Sequence, residues 1–178
     1  MADLEGRLRH VRLVLLVFFF GLLLLMVLVP FTEPSGSVGD LSGKIGMVDN
    51  AQRTAEMNPV AGAVYGFGDV NCHQMAARSY YLNDNQLPIC SRDLGIFIGI
   101  VVGLAITVVV NFRPRFYMVV LLALPMALDG GFQAITEYES TNLLRTATGL
   151  LAGIALAFFL AIIAREVLLP DRKKAVEG

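Results

Sequence analysis

The side chains able to do chemistry gather in one stretch, Cys72 to Gly95, where both cysteines, His73, Arg78, Arg92 and Asp93 stand in a chain otherwise built of apolar runs. Thiolates and imidazoles are metal ligands and nucleophiles, and guanidinium groups hold phosphate or carboxylate through paired hydrogen bonds. Cys72, Arg78 and Ser79 spell C-x5-R-S. That is the spacing of cysteine-dependent phosphatases, in which a thiolate attacks phosphorus while the arginine and loop amides hold the oxygens. The loop departs from the pattern: its histidine follows the cysteine, and Met75, Ala76 and Ala77 stand where glycines belong. Spacing alone leaves a metal site, a Cys72–Cys90 disulfide and two unlinked thiols all open.

A second set of polar residues lies further along. Asp129 and Gln133 are spaced i, i+4 and share a helix face, and Asn142, Arg145, Thr146 and Gly149 follow the i, i+3, i+4, i+7 rule. Arg78, Arg92 and Arg145, with Gln133 and Asn142, form a candidate site for an anionic lipid or another phosphate-bearing ligand. The structural alternative pairs Asp129 with Arg145, lets Arg92 snorkel to the outer end of its helix and leaves Arg78 solvated. Asp129 and Glu137 are the candidate general bases, although nothing in the sequence places either beside a nucleophile.

The elements that must position these groups are membrane helices. The chain has 178 residues, of which 56% are hydrophobic, and a mean hydropathy of +0.65, against an apolar share of roughly 45–50% in soluble domains. The apolar runs match a bilayer core of roughly 30 Å at 1.5 Å per residue and predict four spans, at about 13–30, 94–111, 116–135 and 142–165. The expected fold is therefore an all-α integral membrane protein, a single membrane domain over 1–178. Its long outward loop, 31–93, carries a short interfacial helix. The piece from Pro59 to Val70 is apolar but too short to span and fits that interfacial or re-entrant role. LNDNQLP, Leu82 to Pro88, is turn chemistry that folds Cys90 back toward Cys72.

Arg7, Arg9 and Arg12 precede the first span, Arg113 and Arg115 lie between the second and third, and Arg165, Arg172, Lys173 and Lys174 close the fourth. All fall on one side, which the positive-inside rule makes the cytoplasm. A multi-pass protein of the cell membrane with both termini inside is expected. The first run is too long for a signal-peptide core and lacks a small-residue cleavage site, so a retained anchor is expected. A net charge of −1 excludes a nucleic-acid footprint. Gly95, Gly99 and Gly103 on the second span and Gly149 and Gly153 on the fourth give G-x-x-x-G spacings, which allow close helix packing.

Cys72-His73-Gln74 with Arg78-Ser79, the Leu87 to Arg92 segment LPICSR, Gly95, Asp129-Gly130 with Gln133, and Ser140-Thr141-Asn142 with Arg145 together resemble the small membrane protein family called domain of unknown function 2085. The likeness covers roughly residues 60 to 165. It implies a multi-span membrane protein and brings no established activity. Members of that family usually carry a further cysteine where this chain has Asp93, so the resemblance implies a ligand set of Cys72, His73, Cys90 and Asp93 for zinc or another divalent metal. A carboxylate is a harder ligand than a thiolate, which weakens the site or shifts its metal preference. Adjacent Cys72 and His73 make awkward partners, since neighbouring side chains diverge on regular backbone.

The expected function is a metal-binding polar site at the outer membrane interface, with metal-assisted hydrolysis or transfer on a lipid-linked or phosphate-bearing substrate. Four protein ligands close a site, however, and closed sites are usually structural. The alternative is a non-enzymatic module, a transporter subunit or assembly factor, whose outer loop is pinned by metal or by a disulfide.

Overall fold

Runs of leucine, valine and isoleucine bounded by arginine, proline and polar caps fold as the hydropathy predicts. The computed structural model describes residues 2–168; Arg172, Lys173 and Lys174 lie outside the described residues. In chain order the elements are α1 (Ala2–Leu28), α2 (Ala51–Glu56), α3 (Pro59–Asn71), a hairpin of β1 (Tyr81–Leu82) and β2 (Asn85–Gln86), α4 (Ser91–Val109), α5 (Phe116–Ile135) and α6 (Asn142–Leu168). Single 3-10 turns at Val29–Thr32 and Ala76–Arg78 complete the set. Helices α1, α4, α5 and α6 are long and apolar enough to cross a membrane. The third expected span coincides with α5. Helix α1 begins well before residue 13, because the basic lead-in is itself made of helix formers.

Helices α4 and α6 form the central pair, with α5 laid on α6 and α1 on α4. The glycines explain the pairing. A Cβ at Gly99 would lie 2.1 Å from the Leu150 carbonyl oxygen, one at Gly153 2.1 Å from that of Ile96, and one at Gly149 2.3 Å from that of Arg92. Backbone meets backbone along both stripes, where no side chain fits. Ile100, Leu104 and Ala157 fill the adjoining core, and Leu15, Leu16 and Phe19 of α1 close over it. Helix α5 contributes one buried residue, Asp129, and its apolar flanks are otherwise exposed.

The segment between α1 and α4 packs as a small cap at one end of the bundle, called here the loop end. Val29, Val38, Leu41, Ala61 and Tyr65 form its core. Asn58 starts α3 by accepting from the amides of Val60 and Ala61, both at 3.0 Å, with Pro59 at the first helical position. Helix α3 buries Ala61, Tyr65, Gly68 and Asp69 and leaves Val60, Phe67 and Val70 exposed. Buried amides stitch the rest. Gln74 donates to the carbonyls of Tyr65 at 3.1 Å and Pro88 at 2.7 Å, Gln86 donates to that of Gln74 at 2.5 Å, and Asn85 accepts from the Val38 amide at 2.8 Å. Asn83 and Asp84 turn the hairpin with φ of 55° and 56°, the left-handed pair of a type I′ turn.

Candidate functional site

Cys72 is the residue on which α3 ends, and Cys90 is the residue from which α4 starts. They meet because Gly68 has no side chain: a Cβ there would stand 1.9 Å from the Pro88 carbonyl oxygen and 2.6 Å from Gln74 Nε2. The segment from Leu87 to Cys90 therefore lies directly against α3. The Cys90 amide donates to Cys72 Sγ at 3.3 Å, and the Cys90 thiol donates to Asp93 Oδ2 at 3.2 Å. Asp93 sits three residues into α4, the position from which a side chain reaches back to the helix start.

The two sulfurs and a carboxylate oxygen of Asp93 lie within 4.8 Å of one another, a group able to hold a metal ion. Both cysteines are free. The hydrogen bond from the Cys72 thiol holds Cys90 below the ordinary thiol range, in keeping with its place at a helix start. The same bond, with burial, pushes Cys72 up. The donor set suits zinc: tetrahedral bonds of the usual lengths put two sulfurs roughly 3.8 Å apart and a sulfur and a carboxylate oxygen roughly 3.5 Å apart.

His73 is not in this group. Cys72 has extended backbone, φ −138° and ψ 152°, so the next side chain leaves on the opposite side. His73 instead lines an open cavity of about 550 Å³ with Arg78, Arg92, Gln133 and Glu137. The implied four-ligand set therefore reduces to three protein donors. An apolar recess of about 220 Å³ adjoins them, lined by Phe67, Cys72, Ile89, Asp93, Ile96 and Phe97.

The arginines pair differently from the structural alternative read in the sequence. Asp129 is bound by Arg92, with Nη2 2.5 Å from Oδ2, and the same nitrogen donates to Gln133 Oε1 at 2.9 Å. Arg92 is drawn inward from the helix start because α5 brings that carboxylate within reach. Arg78 pairs with Glu139 at 2.8 Å, an acidic partner the sequence reading passed over. This bond holds the Glu139 carboxyl below its usual range and engages the Arg78 guanidinium outside the Cys72, Cys90 and Asp93 group. No phosphatase-like loop forms. Arg145 is 4% exposed, lies within electrostatic reach of Arg78, Arg92 and Glu139, and has no carboxylate partner among the described residues. Arg92 Nε, Asp129 Oδ1, Gln133 Nε2 and Arg145 Nη2 are all buried without a hydrogen-bond partner in the protein.

Asn142 is a strut. Its Oδ1 accepts from Ser91 Oγ at 3.0 Å and its Nδ2 donates to the Ala77 carbonyl at 3.3 Å. Thr146 and Tyr80, joined at 3.0 Å, tie the hairpin to α6. Glu137 is exposed on the rim of the open cavity. Sequence reading also missed the buried cluster of Asn50, Asp69 and Gln74, in which Asn50 Nδ2 donates to Asp69 Oδ1 at 2.6 Å. The signal was Gln74, a polar side chain beside Cys72 and His73 that turns inward to the Tyr65 and Pro88 carbonyls.

A family model described as predicted membrane protein, DUF2085, matches residues 72–159, which takes in the cysteine loop, α4, α5 and most of α6. An uncharacterized protein of Methanocaldococcus jannaschii is 33% identical over 110 residues, 59% of this chain and 70% of that one. An uncharacterized protein of Methanothermobacter thermautotrophicus is 30% identical over 100 residues, 54% of this chain and 90% of that one. No solved structure matches. With Cys72 opening the matched region, α4 and α5 inside it and most of α6 covered, the chain belongs to the DUF2085 family of predicted membrane proteins.

Proposed function

We propose that this membrane protein holds a divalent metal ion, zinc by its donor chemistry, on Cys72, Cys90 and Asp93 at an outward-facing loop end, and acts there on a lipid-linked, phosphate-bearing substrate. The observation that carries the reading is the approach of two sulfurs and one carboxylate oxygen to within 4.8 Å of one another. Three protein ligands leave a tetrahedral ion one exchangeable position, the pattern of catalytic rather than structural zinc. When bound, such an ion supplies Lewis acidity and a low-pKa water. The residues around it supply the rest. The apolar recess beside Cys72 and Asp93 suits a lipid chain. The unpartnered donors of Arg92, Gln133 and Arg145 suit an anion, with Asp129 Oδ1 left to accept a proton.

The same closeness of the two sulfurs favours a second reading: a Cys72–Cys90 disulfide that pins the cap in a non-enzymatic module. One preparation separates the two. Purified protein is analysed for metal by mass spectrometry and for free thiols before and after chelation and denaturation. One zinc per chain, with thiols that react only after chelation, supports the metal centre. Absence of metal together with no free thiol after denaturation sinks it in favour of the disulfide. Phosphate release from phosphatidic acid in mixed micelles, dependent on the metal, tests the catalytic half.

A further inference from the structure

The opposite end of the bundle carries a second polar feature that the loop end does not explain. Arg12 of α1 is 2% exposed. Its Nε has no hydrogen-bond partner in the protein, and its Nη1 reaches the Thr107 carbonyl of α4 only at 3.5 Å. A cavity of about 200 Å³ opens beside it, lined also by Arg113 of the α4–α5 turn, Arg165 and Glu166 of α6, and the apolar Phe116 and Ile162. Three guanidinium groups on three separate pieces of chain thus face one space, and Arg113 and Arg165 both act on Arg12 as like charges. Glu166 offsets one of them. Glu5 pairs with Arg113 at 3.1 Å and also acts on Arg12 as an opposite charge, but its carboxylate is about half exposed and makes no hydrogen bond to Arg12 Nε, which stays unpartnered.

Converging like charges with a buried unpaired donor are costly unless an anion stands among them. The volume is below the roughly 300 Å³ of a drug-sized pocket, enough for a headgroup and not for a whole lipid. Phe116 is 63% exposed on the first turn of α5, and the apolar flank of that helix continues from it. A ligand with a phosphate at the arginines therefore has an apolar surface along which to lay a chain. We propose that Arg12, Arg113 and Arg165 form a binding site for the phosphate of an anionic phospholipid headgroup at the basic end of the bundle. Guanidinium forks match phosphate oxygens, and basic pockets between membrane helices hold such headgroups. This site is independent of the metal centre.

The test is thermal unfolding of the full chain in nanodiscs of phosphatidylcholine, with and without phosphatidylglycerol, and in phosphatidylcholine with inorganic phosphate. Phosphatidylglycerol in hundredfold excess over its Kd is expected to raise the Tm by roughly 5–10 °C. The double variant Arg113→Gln with Arg165→Gln, both exposed and so tolerated by the fold, is expected to lose most of that shift while keeping its Tm in phosphatidylcholine. Arg12→Lys, which keeps the charge without the fork, is expected to retain only part of it. The control Arg9→Gln with Arg115→Gln removes the same charge from the same end outside the cavity and is expected to keep the full shift. An equal loss in the control, or no shift in the wild type, overturns the site. A shift that inorganic phosphate reproduces in full keeps the anion site and overturns the lipid as its source.

Discussion

Asp129 shows what single residues decide at the loop end. Its carboxylate is 8% exposed, and Arg92 takes one oxygen, so the side chain is a structural partner before it is a base. Asp129→Asn leaves a guanidinium only a quarter exposed without its counter-charge and is expected to lower stability by roughly 2–4 kcal/mol. Denaturation of the variant in detergent checks this. A double change, Arg92→Met with Asp129→Leu, is expected to recover most of the loss, because a buried pair replaced by apolar groups costs little. At the sulfurs, Cys90→Ser and Cys72→Ser are each expected to abolish metal retention, while His73→Ala retains a full equivalent. Metal content per chain checks all three. Much of this scale was legible in the residue types. Cys72, Cys90 and Asp93 converge as their donor chemistry suggested, whereas His73 departs because one extended residue separates it from its neighbour's face. The partner of Asp129 was not legible, since Arg92 and Arg145 both stand one helix away and only the packing of α5 chooses between them.

Elements are joined here by what is missing as much as by what is present. Gly68 lets the Pro88 carbonyl touch α3, and Gly68→Ala is expected to push Cys90 away from Cys72, lowering metal affinity by at least tenfold with the bundle intact. Competition with a chelating dye checks it. Gly99→Leu is expected to separate α4 from α6 and to cost more than the usual overpacking penalty of roughly 1–3 kcal/mol, since backbone rather than a movable side chain is in the way. The G-x-x-x-G spacings announced this contact, and the structure supplies its register, Gly99 against Gly153. The turn at Leu82 to Pro88 was announced too, although the two short strands that flank it were not. The Arg78–Glu139 pair straps the α5–α6 connection to the Ala76–Arg78 turn. Because the partner holds the Glu139 carboxyl below its ordinary value, the strap is complete above an ordinary carboxylate pKa of roughly 4.3. It is lost as pH falls through the lower folded value. The protection of amides 136–140 against hydrogen exchange, corrected for the intrinsic rate at each pH, is expected to fall only in that acid window.

For the molecule as a whole, hydropathy fixed the count of long helices, and charge fixes which ends group together. If the loop end faces outward, as the arginine distribution argues, Ile45→Cys reacts with a membrane-impermeant maleimide on intact cells, and Val110→Cys reacts only after permeabilisation. The reverse labelling would turn the topology over. What hydropathy could not reveal is the cap, whose order rests on buried amides of Gln74, Asn85 and Gln86 with no periodic signature in the sequence. The seam between α4 and α6 carries one last implication. Carbonyls pressed against glycines leave no slack for sliding or rotation, so these two helices form a stator. Helix α5 meets that stator with a single buried side chain, Asp129, which Arg92 clasps near the helix end.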